Sequence, residues 1–409
     1  MDKKLVSIFS LLIFSCALFA QKPKFGFRIR AITAGVTLSS LHDTAALHSA
    51  IDFLLKAKQK FIERGYEVQT LRVSTQNLFE YIPPFSYDDA LPFLKRFDRI
   101  VEENNVILAI GQVLAPDQYQ PGIGDWADKL TQMTKNISFS LSISSHERGI
   151  HFNSIKAASE ILSKISKLNG GETCFRFTAS ANCPSNIPFF PAAFHEGKNS
   201  FGIGLESAGL VTKAFRQDSD PATARQTLKS VFEGSLLPVQ TIANEISNNL
   251  NWPCDGIDDS PAPGLDASIG EAIETYSKQP FGSSATLSAC ALITDVLKSL
   301  DVKKCGYSGL MLPIIEDKVL AARAKEKHFT MQELLLYSAV SGTGLDVVPL
   351  PGNTSRQTVE NIMADVASLS LKYTAKALSV RLFLIPGKNA GDLVEFKNPA
   401  LTSTTVMEP

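Results

Sequence analysis

The chain has 409 residues, of which 44% are hydrophobic and 20% charged. This is the composition of an ordinary globular protein, long enough for one large barrel or two domains. Its 40 Lys and Arg residues nearly balance its 41 Asp and Glu residues, leaving a net charge of −1. Because this balance creates no overall field to attract nucleic acid or acidic membranes, we expect no nucleic-acid partner.

Residues 1–20 form a distinct N-terminal segment. Lys3 and Lys4 precede the apolar run Leu5–Ala20, a pattern that predicts a signal peptide and therefore a secreted or periplasmic protein. The run is shorter than the ~20 residues of a spanning helix, so we expect no stable membrane span in the mature chain. Two alternatives stay open: lipid attachment at Cys16, and a retained apolar extension on a cytoplasmic protein.

From Phe27 onward, strand-length apolar runs alternate with amphipathic helical segments. This alternation predicts an α/β fold with largely parallel strands, in a single domain over residues 26–397, with a loose tail at 398–409. Pro238 is expected to kink or split the helix Ala222–Asn249. About ten strands are predicted: Phe27–Leu38, Glu67–Val73, Val106–Leu114, Ile137–Ile143, Cys174–Ser180, Phe201–Glu206, Gly256–Asp258, Gly309–Ile315, Gly344–Val348 and Leu378–Ile385.

Reactive side chains cluster after several of the predicted strands. In parallel α/β folds, ligands gather beyond the carboxyl ends of the strands, so these side chains are candidates for a common binding mouth. The loop Asn182–Gly197, rich in Pro and Phe, is predicted to form the lip of that mouth. The candidate side chains are Ser144, Ser145, His146, His195, Glu196, Glu206, Asp258 and Asp259.

His195 is the strongest candidate for proton transfer. An imidazole with its pKa near neutrality suits a general base or a metal ligand, and Glu196 would be its carboxylate neighbour. Phe189, Phe190 and Phe194 would provide a wall that excludes water. The alternative interpretation is a His–Glu pair on the surface or at a helix cap.

Asp258 and Asp259 offer two adjacent carboxylates that suit a divalent cation or an acid and a base. A solvated turn with an Asp helix cap is an equally good interpretation. Ser308 is a candidate ligand-binding residue, but Leu310 occupies the place of the second glycine of a nucleophile elbow, so a hydrolase triad has little support. Gly202 and Gly204 indicate close packing of a strand rather than a dinucleotide site.

Several long segments together resemble the family called domain of unknown function 711 (DUF711, also UPF0210). They include RIRAITAGV at Arg28–Val36, NIPFFPAAFHEG at Asn186–Gly197, IDDSPAPG at Ile257–Gly264 and SGTGLDVVPLPG at Ser341–Gly352. The resemblance implies an α/β barrel of ten strands, similar to that of glycyl radical enzymes, and no accepted activity. The C-terminal Gly motif of the radical enzymes is missing, with Arg381 followed by Leu-Phe-Leu, so no glycyl radical is expected.

Two hypotheses of function follow. The first is an enzyme that acts on a small polar metabolite by acid/base or metal-assisted chemistry, with His195, Glu196, Glu206 and Asp258 as catalytic residues. The second is a barrel that binds a metabolite for sensing or delivery without catalysis. The sequence leaves the substrate, the metal and the oligomeric state open.

Overall fold

The structure, a computed structural model, describes residues 23–82, 87–264, 266–372 and 376–409. The signal-like segment and Cys16 lie outside the described residues. One hydrophobic core extends from Phe27 to Met407 and includes side chains from nearly every helix and strand between them. The described part of the chain therefore folds around one continuous core.

A mixed sheet of ten strands forms the centre of the fold, as the α/β prediction required. Five strands in the order β1-β2-β3-β4-β6 are parallel to one another, and the small β5 pairs with β4. β7 runs antiparallel to β1 and carries β8, and β10 runs antiparallel to β6 and carries β9. These strands are β1 Arg28–Val36, β2 Val68–Thr75, β3 Val106–Gln112, β4 Ile137–Ser145, β5 Gly149–Ile150, β6 Phe177–Ala181, β7 Ser200–Glu206, β8 Cys254–Ala262, β9 Gly344–Pro351 and β10 Leu378–Ile385.

One irregular segment, residues 303–315, connects the two edge strands of this sheet. At its start it bonds to β8, where Ile257 donates to the carbonyl of Lys303 at 2.8 Å. At its end it bonds to β9, where Ile314 donates to the carbonyl of Asp346 at 3.1 Å. The prediction of a strand over Gly309–Ile315 was wrong, because this segment makes only isolated bridges to its neighbours. The bridges nevertheless link both edges, so sheet and segment together enclose an interior.

Helices cover the outer face of the sheet. Within the described residues none of them is long and apolar enough to cross a membrane. They are α1 Thr44–Glu63, α2 Tyr87–Glu103, α3 Ile123–Met133, α4 Phe152–Ile165, α5 Ala208–Gln217, α6 Ala224–Leu250, α7 Ile269–Ser277, α8 Thr286–Ser299, α9 Lys318–Lys325, α10 Met331–Ser338 and α11 Arg356–Lys372.

Of the two outcomes expected for Pro238, a kink or a split, the split of α6 does not occur. The helix is continuous from Ala224 to Leu250 with the proline inside it. Pro238 and the residue four positions earlier, Gly234, both lie on the exposed face. Water can therefore solvate the Gly234 carbonyl that loses its N–H partner, and the helix continues.

The C-terminal segment, predicted to be loose, is paired with the body of the protein. β11 (Leu393–Val394) and β12 (Thr404–Thr405) form a small antiparallel sheet. The Thr404 side chain is fully buried and donates to the carbonyl of Ala321 in α9. Leu401, Val406 and Met407 also join the hydrophobic core, so apolar packing and hydrogen bonds together hold the segment.

Asp317 fixes the junction between the connecting segment and α9. Its buried carboxylate accepts the N–H groups of Val319 and Leu320, which caps α9, and those of Ile269 and Gly270 at the start of α7. It also accepts the Ser268 hydroxyl at 2.6 Å. One side chain thereby satisfies the free donors of two helix termini and holds the residue before it, Glu316, at the interior.

We expect Asp317→Ala to lower the free energy of unfolding by at least about 3 kcal/mol, because several buried donors would lose a charged acceptor. Asp295→Ala is the matched control, because that carboxylate is largely exposed and its ion pair with Arg225 is long, at 3.5 Å. This substitution should lower the free energy of unfolding by no more than about 0.5 kcal/mol. Denaturant unfolding of the two variants measures the difference. Equal losses would contradict the capping role of Asp317.

Candidate functional site inside the barrel

The loop Asn182–Gly197, called here the interior loop, lies inside the sheet rather than at its lip. Thr33 points to the interior, on the face of β1 opposite to the core residues Ile32 and Ala34, and its hydroxyl donates to the carbonyl of Pro188 at 2.8 Å. A second, small hydrophobic cluster forms between the loop and the strands: Ile187, Phe189, Ala192, Ala262 and Met311. The aromatic residues of the loop therefore fill the barrel.

Glycines on the strands make room for this loop. A Cβ on Gly204 would lie 3.0 Å from the Phe189 ring, and one on Gly35 would lie 2.1 Å from Nδ1 of His195. The second approach is too short for any side chain. The loop can occupy the interior only because β1 and β7 carry glycine at the points of contact, as the close-packing interpretation of Gly202 and Gly204 anticipated in part.

His195 is fully buried against the carboxyl end of β1. Its backbone N–H donates to the carbonyl of Thr75 at 2.9 Å, and its Nδ1 lies 3.1 Å from Oδ1 of Asn186. Because an amide oxygen only accepts, the imidazole proton belongs on Nδ1, which leaves a lone pair on Nε2. That Nε2 is buried without a hydrogen-bond partner among the described residues.

Burial lowers the pKa of His195 below its ordinary value and outweighs the opposing effect of the backbone carbonyls of Gly197 and Lys198. The imidazole is therefore neutral at pH 7. A neutral imidazole with one nitrogen fixed and the other free can accept a proton or bind a cation.

The other residues proposed for this end of the barrel do not gather around His195. Glu196 is exposed, as is His146. Ser145 is 3.1 Å from Nε2 of His151, a buried histidine that also contacts the Ser142 carbonyl. Only Ser144 resembles His195, because its hydroxyl is buried without a partner among the described residues.

Glu206 lies at the opposite end of the barrel from His195. β1 and β7 are antiparallel, so Glu206 pairs with Arg28 while Gly35, beside His195, pairs with Ser200. Arg28 and Gly35 are seven residues apart, about 23 Å along the strand. The Glu206 carboxylate accepts hydrogen bonds from Arg28, Arg30 and Gln69 and borders a surface groove of about 640 Å³.

Asp258 organises the turn that contains Ser308. Its carboxylate accepts the N–H groups of Tyr307 and Ser308 and both donors of Ser260, at 2.6 to 3.1 Å. The Ser308 hydroxyl donates to the carbonyl of Cys305. Burial raises the pKa of Asp258 against the pull of these donors. The contacts of both residues are therefore internal to the protein.

Asp259 has the opposite environment. It is fully buried, and neither carboxylate oxygen has a hydrogen-bond partner among the described residues. Burial, with a smaller contribution from the charge of Asp258, raises its pKa to about 8. The group is therefore protonated at neutral pH and can donate a proton.

A group of interior arginines was missed at the sequence level. Arg30 contacts Glu316, and Arg381 contacts Glu316 and Asp346, all inside the barrel. Arg72 lies next to them on β2. The signal was present, since a charged residue inside an apolar strand run, as in LRVS or VRLF, marks a charge that faces an interior.

The thiols do not assemble into a site. Cys174, Cys183, Cys254, Cys290 and Cys305 are all free thiols. Across the described ranges, no group of three or more His, Cys, Asp or Glu residues is arranged to hold a metal ion.

Comparison with known proteins gives a family but no activity. A family model described as "Uncharacterised ACR (DUF711)" matches residues 23–398. A UPF0210 protein of Pyrobaculum islandicum is 28% identical over 402 residues, covering 90% of this chain and 87% of the relative. One from Clostridium perfringens strain 13 is 29% identical over 396 residues, covering 90% and 88%.

Among solved structures, the chain is similar to an anaerobic ribonucleotide reductase from Thermotoga maritima, determined in complex with dATP and CTP. The TM-score is 0.42 at 10% sequence identity, over 87% of this chain and 75% of the reductase.

The environment of Asp259 predicts a pH dependence of stability. The unfolded carboxyl releases its proton near 3.8, whereas the folded one keeps it to about pH 8. Between these values the folded state binds more protons, so stability falls as pH rises, by at most about 1.4 kcal/mol per pH unit. Asp259→Asn cannot ionise and should lose this slope.

Denaturant unfolding at intervals from pH 5 to pH 8 measures the effect, with the exposed Asp295→Asn as the control. The advantage of Asp259→Asn over the wild type should grow across this range. A constant difference would mean that Asp259 is ionised in the folded protein.

Proposed function

We propose that the chain, which belongs to the DUF711 family, binds a small polar metabolite inside its barrel and that His195 accepts a proton from it. One observation carries the proposal: Nε2 of a fully buried, neutral imidazole has no partner among the described residues, although Asn186 holds Nδ1 at 3.1 Å. A buried polar atom without a partner costs free energy, so such an atom marks a place where a ligand restores the missing contact.

The carboxylates contribute differently from the original hypothesis. Asp258 on β8 pairs with Gly204 on β7. His195 lies against Gly35, which pairs with Ser200 on β7, and Ser200 is four residues or about 13 Å from Gly204. A small metabolite in contact with Nε2 would not touch Asp258. We therefore assign the proton acceptor to His195 alone, with Asn186 as the residue that positions it.

A barrel that binds without catalysis is the second candidate. It is favoured by the number of polar groups already committed to internal contacts, namely Glu206 in ion pairs and Asp258 in four hydrogen bonds. Binding would need only His195 and its neighbours, whereas a reaction with separate acid and base steps needs a proton donor at the same level.

The first test is a thermal-shift screen of the full chain against small carboxylates, amides, sugars, phosphates and divalent metal ions. A ligand specific to the folded state stabilises it by ~2.7 kcal/mol at 100 times its dissociation constant. We expect a hit that disappears in His195→Gln and persists in His328→Gln, a partly exposed histidine near Glu326. A hit that survives in His195→Gln would refute the site.

Mass spectrometry of the hit after incubation separates the two candidates. A changed metabolite, with the change absent in His195→Gln, supports proton transfer, whereas a ligand recovered intact supports binding alone. Asn186→Asp is a second variant, because a carboxylate beside Nδ1 raises the pKa of His195 and shifts any pH profile upward without removing the imidazole.

A further inference from the structure

Arg72 is a buried guanidinium with no carboxylate partner in the described part of the chain. Only 8% of the residue is exposed. Its Nε donates to the Thr70 hydroxyl at 3.0 Å, one terminal nitrogen reaches the Pro188 carbonyl at 3.5 Å, and the Phe190 ring stacks at 5.2 Å. Among the residues that the structure describes, no Asp or Glu oxygen lies within 4.0 Å of it. All of its close contacts are therefore neutral, and one of them is long.

The other buried arginines make stronger ion pairs or hydrogen bonds. Arg28 contacts three carboxylates, and Arg381 contacts Glu316 and Asp346. Arg176 has no carboxylate, but it donates to three backbone carbonyls and to the Thr134 hydroxyl at 2.5 to 3.0 Å. Only weak contacts compensate the charge on Arg72, although burial of such a charge costs several kcal/mol.

Two further cations act on Arg72, namely Arg30 on the neighbouring β1 and Arg381 on β10 across the interior, and both contact Glu316. Burial, together with the smaller effects of the charges of Arg30 and Arg381 and against the opposing effect of Glu316, lowers the pKa of Arg72 to about 9. The guanidinium is still charged at pH 7. Arg381 also has a buried Nε without a partner in the described part of the chain. Unused donors from two arginines thus remain in the same interior.

We propose that Arg72, with Arg30 and Arg381 beside it, binds the oxyanion of the barrel's ligand, a carboxylate or a phosphate group. The fork of a guanidinium matches both groups through paired N–H donors. An oxyanion would supply the charge that Arg72 lacks, and the planar Phe190 face would hold the fork in place.

Arg72 is placed to bind the same ligand as His195. This assignment rests on the proposed function, which supplies the contact at the other end of the ligand. Arg72 pairs with Thr33, and Ser74 pairs with Gly35, the residue against His195. Two residues along β2 correspond to about 7 Å. The Arg72 guanidinium turns towards Thr70, away from Ser74, so a metabolite that places an anionic group on Arg72 and a proton-donating atom at Nε2 of His195 would span more than this distance.

The test measures thermal unfolding of the full chain in sodium chloride, acetate, succinate and inorganic phosphate at matched ionic strength. We expect at least one oxyanion to raise the melting temperature of the wild type above its value in chloride. Arg72→Met should lose that shift. Protection by phosphate alone, or by the carboxylates alone, identifies the group that the ligand carries.

A second readout separates binding from a structural role. Because Arg72→Met removes an uncompensated charge and leaves no carboxylate unpaired, its melting temperature in chloride should equal or exceed that of the wild type. Arg64→Met, at an exposed arginine paired with Glu245, is the control and should keep the full response to oxyanions.

Three results would overturn the assignment: no oxyanion response in the wild type, an unchanged response in Arg72→Met, or a lower melting temperature of Arg72→Met in chloride. The oxyanion response should persist in His195→Gln. If the oxyanion assignment fails, a metabolite whose binding depends on His195 would still support the proposed function. The two proposals can therefore fail separately.

Discussion

The arrangement inside this protein depends on one packing constraint, the insertion of the interior loop Asn182–Gly197 into the sheet. A sheet that curves around an interior needs side chains to fill that interior. Here the strands supply glycine and small polar residues, and the loop supplies Phe189 and Ile187 instead. Most of the apolar filling thus comes from one segment, which brings His195 with it into a fully buried position.

Because the interior loop fills the middle of the barrel with apolar side chains, the strand residues around it can be polar. Strand residues that face inward include Thr33, Arg72 and Ser144, all buried. Some of them bond to the loop backbone, as Thr33 does to Pro188. Others, such as Ser144, keep polar atoms without partners within the described ranges. A fold selected only for stability would not retain such atoms, because each one costs free energy that an apolar residue would avoid.

The alternation of strands and helices could be read from the sequence because each strand has a helix against its outer face, which imposes a periodic apolar pattern. The structure confirms the α/β architecture that this pattern predicted, and the family model confirms the family. Part of the segment 303–315 was predicted as a strand because its apolar residues are buried. They are buried without a regular ladder of hydrogen bonds, and an apolar pattern does not distinguish such a segment from a strand.

The site was harder to predict because it depends on strand direction. The prediction that Glu206 acts together with His195 assumed that the carboxyl ends of all strands meet at one edge of the sheet. β7 runs antiparallel to β1, so its last residue lies at the other end. Likewise, sequence could mark His195 as reactive but could not show that Gly35 makes room for it. Arg72 was visible as a charge in an apolar strand, yet its missing carboxylate is a property of three-dimensional packing.

The most direct measurement is the protonation state of His195, followed by ¹⁵N NMR on protein labelled at histidine, with His195→Gln used to assign the signal. The account predicts a neutral ring at pH 7 with its proton on Nδ1, Nε2 unprotonated, and a pKa below the ordinary 6.5. A ring that carries its proton on Nε2, or that titrates at or above 6.5, would contradict the claim that the interior loop presents a free base to a ligand.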